Sequence, residues 1–182
     1  MNSDDAVSEV LGFVLVFGLA IILVSLVTAA ALPDLIKETE IEDNEKVLSS
    51  FWGIKKDMDT FCLAEVPGMK KQVIIDTSDK ARLSVSHGKK VGEIYRELKI
   101  TYEAENILAE NILAEKVRIV IDSNGLTRNG KSVLPPSFLI AVNPKDTAEQ
   151  MESGDKIRIE YSYQGTSVEG GYTWHLFSIR LL

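Results

Sequence analysis

The sequence predicts an α+β protein in which a long N-terminal transmembrane helix is followed by an antiparallel β-sandwich-like domain. Three observations support this fold class. Val10 to Leu32 form a run of 23 residues without a charged side chain. Apolar residues then recur at helical spacing between Val47 and Phe61. From Gln72 onwards, short runs rich in Val, Ile, Tyr and Thr alternate with Gly, Asn, Asp and Pro, as in β-proteins.

The apolar run is long enough to form a membrane anchor. A helix of this length extends about 35 Å, which is enough to cross a bilayer. The residues before the run include Asp4 and Asp5 but no Lys or Arg, and a secretory leader normally carries a positive charge there. The run also exceeds the apolar core of such leaders, so we interpret it as a retained anchor.

A second, amphipathic helical segment is predicted after Pro33. Because proline lacks a backbone N–H and crowds the preceding turn, we expect a bend or break at this residue. Pro67-Gly68 is predicted to end the helix. The apolar positions that form one stripe are Val47, Leu48, Phe51, Ile54, Met58 and Phe61.

Seven strands are predicted in the remainder of the chain, as an antiparallel sheet packed into a sandwich or onto the helix. Asn124-Gly125 and Asn129-Gly130 are predicted to form tight turns. The unit Glu-Asn-Ile-Leu-Ala occurs twice from Glu105, which we interpret as a duplication in a strand connection; an interaction loop is the alternative. The predicted strands are 72–76, 82–86, 94–102, 116–122, 137–142, 156–163 and 172–181.

Composition and motifs exclude several functional classes. The net charge of -7 argues against nucleic-acid binding. The single cysteine, Cys62, is interpreted as a small buried hydrophobe on a helix. The two histidines, His87 and His175, lie in no metal or catalytic motif, and Gly88-Lys89-Lys90 lacks the pattern of a phosphate loop. We therefore predict no catalytic residue, no metal, no cofactor and no enzymatic activity.

The N-terminal segment from Asp4 to Gly12, running directly into the apolar helix, resembles the class III signal segment of archaeal type IV pilins and archaellins. The resemblance covers about the first 35 residues. It implies that a prepilin-type peptidase cuts between Ala6 and Val7. It also implies that Glu9 pairs with the terminal amine of a neighbouring subunit, although Glu9 could instead simply end the membrane span.

The resemblance implies a homopolymer whose core is the N-terminal helix. The small residues Gly12 and Gly18 would permit close helix approach, and a charge at Leu15 would disrupt packing. The chain then divides into a leader of residues 1–6, a helix of residues 7–66 bent near Pro33, and a β-rich extracellular domain of residues 67–182.

This interpretation predicts a precursor anchored in the membrane, which the pilus assembly machinery places in an extracellular filament for adhesion or motility. The alternative is a single-pass membrane-anchored extracellular protein that binds a partner and does not polymerise. An anchored enzyme would need His87 and His175 together in a pocket with carboxylates.

Overall fold

The structure, a computed structural model, describes the backbone of residues 3–77, 81–106 and 115–182. Side chains are described for residues 12–28, 42–77, 81–105 and 116–182. The chain divides into two compact units, Met1–Thr39 and Glu40–Leu182. Residues 107–114, which make up most of the repeat that begins at Glu105, lie outside the described residues, so the role of the repeat stays a prediction.

One helix and ten strands make up the described secondary structure. Helix α1 spans Ser3–Ala64. Glu65 and Gly68 both have positive φ, which ends the helix next to Pro67 as predicted. The strands are β1 Lys70–Asp76, β2 Arg82–Lys90, β3 Arg96–Asn106, β4 Glu115–Asp122, β5 Gly125–Arg128, β6 Lys131–Leu134, β7 Leu139–Val142, β8 Gln150–Ser153, β9 Lys156–Glu169 and β10 Tyr172–Leu181.

The strands form a single curled sheet in the order β1-β9-β10-β7-β3-β4-β5-β6, and β2 pairs with both β3 and β8. All pairs are antiparallel except β10 with β7. Strand β7 is the connection on which the single sheet depends. Its residues pair with Trp174–Phe177 of β10 on one edge and with Arg96 and Glu97 of β3 on the other.

The core lies between the inner face of this sheet and the second half of α1. Phe51 packs edge-on against Tyr102 of β3, and Phe61 packs against Tyr161 of β9. Burial of an aromatic or large aliphatic side chain contributes about 1.5–3 kcal/mol, so this stripe supplies much of the attachment of helix to sheet. The helical stripe predicted from the sequence is confirmed: Val47, Phe51, Ile54, Met58 and Phe61 are buried, and Leu48 is partly buried.

The predicted fold class is wrong. A sandwich needs two separate sheets facing each other, whereas β7 joins all the strands into one mixed sheet, and α1 rather than a second sheet covers its inner face. Nor is the predicted transmembrane helix found among the described residues. Within the part of α1 whose side chains are described, no stretch is both long and apolar enough to cross a membrane.

Candidate assembly surface

Residues 12–28 of α1 form an exposed apolar surface, which we call the assembly surface. Every residue in it is exposed except Gly18, which is half-buried. Soluble monomers rarely expose contiguous apolar patches above a few hundred Å². We therefore expect another molecule to cover this surface. The large exposed residues are Phe13, Val14, Leu15, Val16, Phe17, Leu19, Ile21, Ile22, Leu23, Val24, Leu26 and Val27.

The assembly surface carries no unsatisfied hydroxyl. Ser25 Oγ donates to the carbonyl oxygen of Ile21 at 2.8 Å, and Thr28 Oγ1 donates to that of Val24 at 2.8 Å. Both hydroxyls are thus paired inside their own helix, one turn back. The surface can enter an environment without water at little polar cost.

The shape of the assembly surface would allow another helix to pack against it. The rings of Phe13 and Phe17 are stacked, with centroids 6.1 Å apart, and form a ridge one turn long. A Cβ added at Gly12 or Gly18 would meet no atom within 4 Å, so both positions leave open space beside the helix. Leu15, the third described residue of the predicted assembly set, is 70% exposed.

The other predicted site residues lie outside the described side chains. These are the processing residues Ala6 and Val7, the assembly residue Glu9 and the bend at Pro33. The structure places each within α1, which continues through Pro33 without a break, and the cleavage, the pairing and the bend stay predictions.

Polar contacts fasten the second half of α1 to the sheet. Asp57 Oδ2 accepts a hydrogen bond from the Tyr161 hydroxyl at 2.7 Å. The same oxygen forms an ion pair with Lys71 Nζ at 2.8 Å. Closer to the N-terminus on the same helix, Glu45 pairs with Arg128 of β5. Burial and the Asp57 hydrogen bond both raise the pKa of Tyr161, so the phenol stays protonated and donating.

A buried ion pair lies on the same half of the helix. Lys55 is 1% exposed, and its Nζ lies 2.5 Å from Oδ1 of Asp59, one turn further along. The neighbouring Cys62 is buried and free, as predicted. Burial first, and the Asp59 carboxylate second, raise the pKa of the Cys62 thiol to about 12, so the thiol stays protonated and unreactive.

The two histidines have different surroundings. His87 Nε2 lies 2.8 Å from the Thr147 carbonyl, with Glu149 at 3.7 Å from Nδ1. His175 Nδ1 lies 3.0 Å from the Tyr163 hydroxyl, and burial lowers its pKa. Among the described residues, no group of three or more His, Cys, Asp or Glu is placed to hold a metal ion.

Sequence reasoning missed a cavity of about 500 Å³ at one end of the sheet, lined in part by Tyr172 and Trp174. The only local signal for this cavity in the sequence is the pair of aromatic residues two positions apart on one strand. Residues at this spacing lie on the same face of a strand.

Comparison with known protein families gives a match within the helix. The model of a family of unknown function, DUF7289, matches residues 6–60, which is less than half of the 182 residues. The matched segment lies within α1 and includes none of the strands. No curated protein and no solved structure matches the chain.

Proposed function

We propose that this protein is the structural subunit of an archaeal type IV pilus-like surface filament, assembled through the assembly surface of α1. The observation that carries the proposal is the exposure of large apolar side chains all around this part of the helix. Five consecutive residues, Phe13 to Phe17, are each at least 59% exposed. At 3.6 residues per turn they go more than once round the helix axis.

All-round exposure favours several partners over one. A helix that docks in a single groove or against a single partner needs one apolar face, and the opposite face is normally polar. Here a single partner would leave the far side of the helix uncovered. Surrounding copies of the same helix, as in a filament core, would cover every side, and lipid would cover the same surface before assembly.

The attachment of the second half of α1 to the sheet also supports the proposal. It is fastened to the sheet by the apolar stripe, by the Asp57–Tyr161 hydrogen bond and by the Glu45–Arg128 pair. The family match covers the helix and stops before the first strand. Both observations suit a subunit in which a shared assembly helix carries an individual β domain.

The single-pass anchored binding protein remains the competing function, because lipid alone could also surround the assembly surface. The two differ in processing and in oligomeric state. We would therefore express the full chain with its native processing machinery and determine the mature N-terminus by mass spectrometry, in membranes and in sheared extracellular material.

A start at Val7 in sheared filaments is expected. An intact Met1 confined to membranes, with no polymer, would instead favour the anchored protein. Glu9→Ala tests the assembly role separately, and it should abolish filaments while leaving the subunit in membranes. Glu42→Ala is the matched control, because Glu42 lies on the same helix and its described ion pair is to the exposed Lys46.

A further inference from the structure

The cavity of about 500 Å³ lies where three turns of the β domain converge. The end of β2 forms one side, the turn between β4 and β5 forms another, and the β9–β10 hairpin forms the third. Its size is in the range of small-ligand sites. The lining side chains that the inference uses are Lys89, Glu97, Asn124, Glu169, Tyr172 and Trp174.

Trp174 carries an unsatisfied donor at this cavity. Its Nε1 is buried, yet it finds no hydrogen-bond acceptor among the described residues. Buried indole N–H groups normally have a partner, because leaving one unpaired is costly. The atom has almost no solvent-accessible surface, so an oxygen acceptor on a bound molecule would satisfy this donor only if the indole shifted towards the cavity.

Tyr172 extends the aromatic surface. It lies two residues before Trp174 on β10, so both side chains are on the same face of the strand. Tyr172 is 64% exposed, so its ring is accessible to a bound molecule. Together the two residues offer apolar ring surface next to polar groups.

Two carboxylates approach the cavity at positions where glycine makes room. The carboxyl group of Glu169 lies 2.9–3.1 Å from the point where a Cβ at residue 92 would be, so only Gly92 allows this placement. Gly88 lies against the backbone of Glu97, whose carbonyl oxygen would be 3.3 Å from a Cβ at residue 88. The amide of Ser123 donates to Glu97 Oε1 at 3.3 Å, which orients that side chain from the β4–β5 turn.

The charges at the cavity balance, since Lys89, Lys90, Glu97 and Glu169 all belong to its lining. This balance gives no advantage to a strongly charged ligand. The described residues also lack a metal-binding group. A neutral ligand with many hydroxyls suits the site best, because it can stack its C–H faces on aromatic rings. Its oxygens can accept from Trp174, and its O–H groups can donate to the carboxylates.

We infer that this cavity is a binding site for a neutral saccharide. The inference does not depend on the filament function, because every residue concerned lies in the unit Glu40–Leu182.

The chain's two tryptophans allow a direct test. Trp52 lies on α1 with Lys56 Nζ 4.1 Å from its ring and is not part of the cavity lining. In full-length Trp52→Phe in mild detergent, Trp174 is the sole indole. Titration with a panel of neutral hexose and N-acetylhexosamine di- and tetrasaccharides should then shift its emission saturably. A flat titration for the whole panel, with an unchanged circular dichroism spectrum, would overturn the inference.

Variants of the lining test the geometry by calorimetry with the saccharide that responds. Trp174→Phe keeps an aromatic ring and loses the donor, so affinity should fall about fivefold. Tyr172→Ala should weaken binding about tenfold through the lost ring. Gly92→Ala should also weaken binding by displacing the Glu169 carboxylate. Val168→Ala, at an exposed residue outside the lining, is the control and should bind normally. Unchanged affinity in Trp174→Phe, Tyr172→Ala and Gly92→Ala would place binding elsewhere.

Discussion

The phenol oxygen of Tyr161 lies 2.7 Å from Oδ2 of Asp57, so strand β9 is hydrogen-bonded directly to α1. Tyr161 is fully buried, whereas Asp57 is partly exposed and also pairs with Lys71. The contact joins the apolar stripe of the helix to the strand that packs on it. It makes the helix–sheet attachment specific as well as apolar.

Removing the Tyr161 hydroxyl should weaken this attachment. Tyr161→Phe keeps the ring and deletes a hydrogen bond to a charged acceptor, so the free energy of unfolding should fall by about 1–2 kcal/mol. Urea unfolding of the full chain in mild detergent would measure it. Lys71→Ala removes only the half-exposed partner of Asp57 and should cost less. Equal losses in the two variants would show that the phenol contact has no special role.

The buried pair Lys55–Asp59 should behave differently from an exposed pair. Asp59→Ala leaves the Lys55 ammonium buried without its partner and should lower the free energy of unfolding by about 3 kcal/mol. Adding Lys55→Met should recover most of this loss, because an apolar chain of similar length fills the same space. Lys46→Ala, in an exposed pair with Glu42, should leave stability unchanged. Failure of the double variant to recover would contradict the buried-charge argument.

Two glycines with positive φ provide a matched test of crowding. Gly125 has φ +95, and a Cβ there would lie 2.3 Å from the carbonyl oxygen of Leu134. Gly130 has φ +76 but open space around the added atom. Gly130→Ala should therefore cost only the backbone strain, about 1 kcal/mol. Gly125→Ala should cost clearly more, because backbone must move. Thermal unfolding of both variants checks the order, and the reverse order would refute it.

Stability should decline with acid through His175. Burial lowers the pKa of this imidazole from its usual 6.5, with Glu65 opposing the effect. The unfolded chain therefore binds more protons in the interval between the two pKa values. The stability contributed by neutral His175 is present above pH 6.5 and is lost as the pH falls through the lowered folded value.

His175→Gln keeps a polar side chain that does not titrate. Between about pH 7.5 and about pH 5 its midpoint of thermal unfolding should fall less than that of the natural chain. Parallel curves for the two proteins would assign the acid sensitivity to other groups.

A charge on the assembly surface should prevent polymerisation. Leu15→Lys puts an ammonium where the proposal requires apolar contact, so filaments should be absent by electron microscopy of sheared material. Leu63→Lys is the matched control, because Leu63 lies on the same helix and is exposed to a similar degree, 74% against 70% for Leu15. It should leave filaments intact. Normal filaments from Leu15→Lys would remove this surface from the assembly.

Local patterns in the sequence determined the buried stripe of the helix, the longer strands and the turns. The spacing of Phe51, Ile54 and Met58 correctly identified the buried helical stripe, and alternation identified the main strands, including 172–181 as observed for β10. Both predicted turns are confirmed by positive φ at Gly125, Asn129 and Gly130. The short strands β5, β6 and β8 were missed, because four residues carry too little periodicity.

Tertiary structure decided how these elements combine. Strand β7 has only four residues, yet its parallel pairing with β10 and its contact with β3 turn an expected sandwich into one curled sheet. Its partners are remote in sequence, so no local pattern reveals them. The burial of Lys55 and the convergence of Glu97, Glu169 and Trp174 around one cavity depend on the same long-range packing. Periodicity in a sequence reports which face of an element is buried, whereas only the folded chain decides what buries it.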